Sequence, residues 1–176
     1  MTAQATPPSV HASAVKVGSH AVLIRGPSGA GKSRLAFDLI LAGRAGQLPP
    51  AVLVADDRVR LDTDGKELWA RTIPELAGLI EIFGLGIRRC DYVNAARVGL
   101  VVDLAANDAE RLPPPESLQI ALFGVSLPRI PVAAGHDPLP LVVAALTTTA
   151  SSPSVNHSGH CVKGIGNHIN PTLATE

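Results

Sequence analysis

The octapeptide GPSGAGKS at residues 26–33 constrains the fold of this chain more than any other feature. It fulfils the pattern Gly-x-x-x-x-Gly-Lys-Ser and lies between the apolar run AVLI and a segment with helical periodicity. Glycines at these positions let backbone N–H groups turn inward around a phosphate, the lysine neutralises phosphate oxygens, and the serine hydroxyl can ligate magnesium. The motif predicts a nucleotide-binding loop, against the alternative of a glycine-rich turn that merely connects strand to helix. The predicted contacts are Gly26, Pro27, Ser28, Gly29, Ala30, Gly31, Lys32 and Ser33.

The segments that flank this loop carry the periodicities of strands and a helix. Residues 9–17 alternate and the run AVLIRG is largely apolar, which predicts a hairpin turning at Gly18-Ser19 and leading into the loop. Apolar residues recur at helical spacing after the loop, up to Gly43, where a helix end favours a residue that tolerates a left-handed conformation. A strand, a phosphate loop and a helix in this order are typical of P-loop proteins.

Further strands follow this unit. AVLVA predicts a buried strand that ends at Asp56-Asp57, and the Asp-Gly of DTDG predicts a hairpin between VRL and KELWART. Downstream come the apolar segment LIEIFGLGIRR, the strand VGLVVDL, a proline-rich loop and a hairpin of LQIALF with LPRIPV. Asp137 and Pro138 predict the start of a last short helix.

The boundaries of the domain follow from composition. With 176 residues, 46% of them hydrophobic, the chain has room for one domain of ordinary size. We predict a domain over residues 9–146, a flexible N-terminus at 1–8 and a disordered tail at 147–176, where Ser, Thr, Asn, Gly and His replace the apolar period. In that tail, His157, His160, Cys161 and His168 do not predict a metal site, since a second paired set of ligands is lacking.

Charge and cysteine content narrow the class of protein. The 15 basic and 15 acidic residues cancel, so the basic face typical of nucleic-acid binding is not expected. Cys90 and Cys161 lie far apart, which favours a reducing compartment over a disulfide scaffold. The sequence shows neither a leader pattern nor a long apolar run. We therefore expect a cytoplasmic protein without a membrane or nucleic-acid partner.

Several side chains are candidates for chemistry near the loop. Asp56 and Asp57 follow a strand, where P-loop enzymes place an acidic group near magnesium, although a solvated turn is the alternative. Adjacent carboxylates on a strand point to opposite sides, so one is expected to meet the ligand and the other to secure the loop. Glu81 lies in an apolar run and either binds a cation or faces solvent. His11, on the strand before the loop, is by pattern alone more often structural than catalytic.

Taken together, His11, GPSGAGKS, LVADDRV and IEIFGLGI resemble the kinase domain of HPr kinase/phosphorylase over residues 9 to about 132. The resemblance implies an α/β P-loop domain related to phosphoenolpyruvate carboxykinase, with a mixed sheet and flanking helices. It also implies an enzyme that uses ATP and Mg²⁺ to phosphorylate a serine of HPr, the phosphocarrier of the sugar phosphotransferase system, and that reverses this with inorganic phosphate to yield pyrophosphate. Long members assemble as hexamers, which implies a homo-oligomer.

The resemblance assigns roles position by position. Lys32 matches the phosphate-binding lysine, and Ser33 and Glu81 match the magnesium ligands. Asp57 matches the base that deprotonates the serine, and His11 matches the histidine that pairs with it. Arg111 matches, by its distance to LPRIPV, an arginine expected to meet phosphate.

The chain also departs from the family pattern. Phe83 stands where the family has an arginine, PVAAGH replaces the arginine-containing PVRPGR, and the insertion RAGQLPPA lengthens the link before LVADD. The N-terminal domain of long members has no counterpart, so the chain resembles the short α-proteobacterial type. These departures leave open a nucleotide-binding regulator that has lost catalysis. A second alternative is a P-loop small-molecule kinase, which would be expected to carry a lid with clustered arginines, whereas residues 105–135 offer only Arg111 and Arg129.

Overall fold

A nine-stranded mixed sheet, a separate two-stranded ribbon and two α-helices make up residues 9–149, the part of the chain that this computed structural model describes. The strands are β1 (Ser9–Val10), β2 (Ser13–Val17), β3 (His20–Arg25), β4 (Ala51–Ala55), β5 (Val59–Thr63), β6 (Leu68–Arg71), β7 (Leu79–Ile82), β8 (Gly86–Arg89), β9 (Ala95–Leu104), β10 (Gln119–Leu122) and β11 (Val125–Val132). The helices are α1 (Lys32–Arg44) and α2 (Leu139–Thr147), and short 3-10 turns lie at Pro74–Leu76 and Pro115–Leu118.

Five strands of the large sheet run in the same direction: β3, β4, β5, β9 and β11. The order is β1-β5-β6-β9-β3-β2-β4, with β11 added to β9 and β10 added to β11. β3 and β11 both pair in parallel with β9, and β4 has the same direction because it and β3 are both antiparallel to β2. The loops after β3, β4, β9 and β11 therefore meet at one edge, where ligands of α/β proteins bind.

Alternating side chains of the central strands build two apolar layers. Val22 and Ile24 of β3 pack with Leu35 and Leu39 of α1 on one face of the sheet. Leu23, between them, packs on the other face with residues of β4, β5 and β6. Because successive side chains of a strand point to opposite faces, β3 is buried on both sides, and its loop starts from a rigid base.

The end of α1 differs from the expectation at Gly43. The helix continues to Arg44, and Gly43 is not among the residues with positive φ, whereas Gly46 has φ 72°. A Cβ added at Gly43 would lie 2.8 Å from Cβ of Ala51. Gly43 is therefore small because α1 packs closely on β4, and the left-handed turn comes three residues later.

Most predicted elements are confirmed, with two shifts. The β2–β3, β5–β6 and β10–β11 hairpins and α1 form as expected. The strand predicted over residues 9–17 is divided by a bend at His11, because β1 pairs with β5 whereas β2 pairs with β3 and β4. The last helix begins at Leu139 rather than at Pro138, and Oδ1 of Asp137 accepts a hydrogen bond from the Leu139 N–H.

Two other expectations concern the ends of the chain and its relation to a membrane. Residues 1–8 and 150–176, including the histidines of the predicted tail, lie outside the described residues. Within residues 9–149, neither helix is long and apolar enough to cross a membrane.

Candidate active site

The glycine loop joins β3 to α1 in a conformation that requires glycine at its first position. Gly26 has φ 149°, and a Cβ added there would lie 2.9 Å from the carbonyl oxygen of Leu104. Gly31, in the left-handed region at φ 93°, precedes α1, whose first turn has no side-chain cap. The unpaired N–H groups of that turn are the groups that bind phosphate at helix N-termini.

Lys32 lies buried at the start of α1 and folds over the loop. Its Nζ donates hydrogen bonds to the carbonyl oxygens of Gly26 (3.0 Å) and Pro27 (2.9 Å). Burial lowers the pKa of the Lys32 ammonium, and the charges of Asp56 and Asp57 counteract that decrease in part. A buried cation without an anionic partner is unfavourable. The Lys32 ammonium is therefore suited to bind a polyphosphate, which would supply the compensating negative charge.

Asp56 is the structural member of the aspartate pair. It is buried, its Oδ1 accepts a hydrogen bond from Oγ of Ser13 (2.6 Å), and its Oδ2 accepts one from the backbone N–H of Glu81 (3.1 Å). One carboxylate thus ties β2 and β7 to the end of β4. It holds Glu81 in place through the backbone, so the Glu81 side chain remains available to the cavity.

Asp57, unlike Asp56, lines the cavity. The two carboxylates diverge because of a turn after β4, and not because of the strand alternation that the sequence predicted. β4 ends at Ala55, and Asp57 has φ 62°, a left-handed conformation that is unusual outside glycine and frequent at functional sites. Nδ1 of His11 lies 3.2 Å from Oδ1 of Asp57 and 3.1 Å from its backbone oxygen. The bend at His11 and the turn at Asp57 therefore bring the two side chains together.

A cavity of about 1230 Å³ connects these groups. Its lining includes the glycine loop and α1 (28–35, 37 and 38), His11, Asp57, Glu81, Ile82, Phe83, residues 104–105 and residues 132–138. Ser33 and Glu81, the predicted magnesium ligands, both line it. The structure thus brings His11, Lys32, Asp57 and Glu81 to one cavity, with the aspartate and the glycine loop both facing it.

Among the predicted site residues, Gly26, Pro27 and Arg111 are absent from the lining of this cavity, and of these Arg111 is the one outside the glycine loop. It is exposed and absent from the cavity lining within residues 9–149. A role in phosphate contact stays a prediction for Arg111.

An arginine–carboxylate network, which the sequence patterns did not predict, lies behind the loop. Asp103, at the end of β9, accepts hydrogen bonds from Arg25 (2.7 Å to each oxygen) and from Nε of Arg129 (2.6 Å). Arg129 also bonds Asp108 (2.6 Å) and the carbonyl oxygen of Ser117 (3.0 Å). Burial by itself raises the pKa of Asp103, but the bonds from the two arginines outweigh it and hold that pKa below its usual value.

This network holds the residue before the glycine loop. Arg25 directly precedes Gly26, and both line a shallow second cavity of about 580 Å³ with Asp103 and Arg129. A signal was available in the sequence, because Asp103 lies at the carboxyl end of a predicted strand, where Asp56 and Asp57 also lie. Its partners were not predictable, since Arg25 is 78 positions away.

Comparison with known proteins identifies the family. The HPr Serine kinase C-terminal domain family matches residues 3–161. The HPr kinase/phosphorylase of Azoarcus sp. (strain BH72) is 36% identical over 156 residues, which cover 80% of this chain and 47% of the relative. That of Geobacillus thermodenitrificans (strain NG80-2) is 33% identical over 162 residues, with coverage of 84% and 50%. The chain thus spans about half the length of these curated relatives.

A solved structure agrees with this assignment. The Hpr(Ser) kinase/phosphatase from Coxiella burnetii has a TM-score of 0.62 and 27% identity, with 79% of this chain and 93% of that chain covered. The predicted α/β P-loop fold and the predicted resemblance are both confirmed. The chain belongs to the HPr Serine kinase C-terminal domain family.

Proposed function

We propose that this chain is a serine protein kinase that transfers the γ-phosphate of ATP to a serine of HPr, and thereby regulates the phosphotransferase system and carbon metabolism. The observation that carries the proposal is the placement of the His11–Asp57 pair in the same cavity as the glycine loop. The names of the relatives, HPr kinase/phosphorylase, support HPr as the acceptor.

The forward reaction needs a base close to the phosphoryl group. A serine hydroxyl is a weak nucleophile until a base takes its proton. In the proposed reaction, the Asp57 carboxylate takes that proton, the serine Oγ forms a bond to the γ-phosphorus, and the bond from that phosphorus to the β–γ bridging oxygen breaks to release ADP. His11 positions Asp57, and Lys32 stabilises charge on the phosphate oxygens.

Removal of the phosphate from phosphoserine by inorganic phosphate uses the same groups. An oxygen of inorganic phosphate attacks the phosphorus of phosphoserine, the bond from that phosphorus to the serine Oγ breaks, and protonated Asp57 returns a proton to the leaving oxygen. The products are unmodified HPr and pyrophosphate. We propose that this phosphorolysis accompanies the kinase activity.

A magnesium ion fits the donors on the cavity wall. Ser33 supplies a hydroxyl and Glu81 a carboxylate, the hard oxygen donors that Mg²⁺ prefers. Within residues 9–149, no cluster of three acidic, histidine or cysteine side chains could hold a metal by itself. In the proposed site, the phosphate oxygens of the nucleotide would supply the remaining ligands. When bound, the ion neutralises charge on the β- and γ-phosphates.

We also propose, from the family resemblance, that the protein is a cytoplasmic homo-oligomer and specifically a hexamer. Light scattering after size-exclusion chromatography measures the mass directly. A mass of six chains of 18.2 kDa each is expected, and a monomer at the concentration of the kinase assay would contradict the proposal.

Transfer of label from [γ-³²P]ATP to purified HPr tests the activity. We expect label on an HPr serine with the wild-type protein, and a decrease of about 10²- to 10⁴-fold for Asp57→Ala, because the base is removed. Asp91→Ala is the matched control, since Asp91 is exposed and outside the cavity lining. ATP binding without transfer would support the regulator, and label on a metabolite in place of HPr would support a small-molecule kinase. An undiminished rate for Asp57→Ala would contradict the assigned base.

A further inference from the structure

The β7–β8 ribbon carries an apolar tip that nothing in the described chain covers. Phe83 is 100% exposed, Leu85 58% and Ile87 70%. β7 and β8 pair with each other and with no other strand of residues 9–149. Exposing large apolar side chains side by side in water is unfavourable, and such patches mark interaction surfaces.

The tip is held at a defined position despite its exposure. Ile80 of β7 is buried against the core, and the Glu81 N–H donates to the fixed carboxylate of Asp56. At the base of the ribbon, the N–H of Cys90 donates to the carbonyl oxygen of Gly78 (2.9 Å). The base of the ribbon is thus tied to the end of β4, beside Asp57, and the tip projects from that fixed base.

The position of Phe83 indicates what covers the tip. Phe83 lines the same cavity as Glu81, Asp57 and His11. A phosphate acceptor must approach Asp57, because that carboxylate is the proposed base, whereas the triphosphate is held at the glycine loop. The acceptor molecule that carries the hydroxyl group must therefore approach Asp57 through the part of the cavity that Phe83 lines.

The chemistry of the ribbon favours a protein over a small metabolite. A polar metabolite that fits inside the cavity would gain nothing from Leu85 and Ile87 outside it. Arg88 and Arg89 are also exposed and take part in none of the ion pairs of residues 9–149. Apolar side chains beside unpaired cations complement a protein surface with an apolar patch bordered by carboxylates.

We infer that the β7–β8 tip is the docking surface for the protein that presents the serine, with Phe83 as its aromatic anchor. The inference rests on the proposed function and adds to it the element that selects the acceptor. An aromatic side chain at the centre of an interface contributes more binding free energy than its neighbours. Phe83 is therefore a specificity residue of the acceptor surface and takes no part in the transfer itself.

Steady-state kinetics with HPr as the varied substrate test this inference. For Phe83→Ala we expect KM for HPr to rise at least tenfold, with kcat lowered less than twofold. Calorimetric titration of HPr should show the same tenfold weakening of Kd, equivalent to about 1.4 kcal/mol. Phe123→Ala is the matched control: Phe123 is also an exposed phenylalanine in a hairpin turn, but it is not part of the cavity lining. It should change neither constant.

The possible outcomes separate the inference from the proposed function. Transfer to HPr by the wild type with an unchanged KM for Phe83→Ala would overturn the inference and leave the kinase function intact. Absence of transfer by a wild type that binds ATP would overturn both. A decrease in oligomer mass for Phe83→Ala would assign the tip to contact between copies of this chain and would also overturn the inference. Because Phe83 is fully exposed, the variant should unfold at the wild-type temperature.

Discussion

Nδ1 of His11 lies 3.2 Å from Oδ1 of Asp57, although 46 positions separate the two residues in the sequence. Their side chains are 45% and 65% exposed, so the pair contributes little to the free energy of unfolding. The contact instead orients the carboxylate that faces the cavity. Within the proposed function, His11 is a positioning residue that acts through Asp57.

Replacing His11 should therefore slow transfer without weakening the fold. For His11→Ala we expect kcat to fall about 10- to 100-fold, less than the loss for a missing base, with an unchanged melting temperature. His11→Asn retains an N–H donor and should recover part of the rate. Circular dichroism and HPr phosphorylation assays measure both effects. Equal rates for wild type and His11→Ala would exclude the positioning role.

Gly26→Ala should disrupt the glycine loop. The added Cβ would meet the carbonyl oxygen of Leu104 at 2.9 Å, in a backbone conformation that L side chains rarely adopt. We expect loss of ATP binding by calorimetry and a lower melting temperature. Gly65→Ala is the control for backbone strain without a steric clash, because Gly65 also has a positive φ (88°) but a Cβ added there would meet no atom within 4 Å. It should cost about 1 kcal/mol and leave ATP binding intact. Equal behaviour of the two variants would contradict this account of Gly26.

Asp103→Asn should destabilise the protein by about 3 kcal/mol at neutral pH, because two arginines would lose a largely buried anionic partner. Asp62→Asn is the matched control. Asp62 bonds Arg71 at the same 2.7 Å as Asp103 bonds Arg25, but the pair is more exposed and should contribute less than about 1 kcal/mol. Urea denaturation measures both. Similar losses for the two variants would argue against a special contribution of Asp103.

The contribution of Asp103 should also depend on pH in a defined direction. Its pKa in the folded protein lies below the ordinary value of about 3.9 of an unfolded chain. The stabilisation is therefore complete above about pH 4 and is lost as the pH falls through the folded pKa. The difference in unfolding free energy between wild type and Asp103→Asn should shrink from pH 5 to pH 2.5. A constant difference over that range would contradict the assignment.

Arg111 and Arg129 provide a contrast between a surface arginine and a structural one. Arg111→Ala should leave the melting temperature unchanged, because Arg111 is exposed and appears in none of the ion pairs of residues 9–149. If it meets the transferred phosphate as the resemblance implies, kcat falls about 10²- to 10³-fold. Arg129→Ala should lower the melting temperature instead. Wild-type turnover in Arg111→Ala would remove Arg111 from the proposed site.

Local patterns were sufficient for most of the secondary structure and for the glycine loop. The position of α1 follows from apolar spacing, and the loop follows from the motif that precedes it. The bend at His11 was missed because β1 pairs with β5, a partner about 50 positions away that alternation along one segment cannot reveal. The packing role of Gly43 was not predictable either, because its contact with Ala51 is also not local.

The sequence by itself determined which residues could carry the chemistry: the phosphate loop with Lys32 and Ser33, a strand that ends in two aspartates, and Glu81 in an apolar segment. These features depend on backbone preferences and side-chain chemistry within a few residues, so they can be read in order along the chain. Only the tertiary structure decided that Asp56 bonds the Glu81 backbone while Asp57 faces His11, and that Arg129 bonds the largely buried carboxylate of Asp103. Those relations depend on the register of distant strands and on one left-handed turn, which no local pattern specifies.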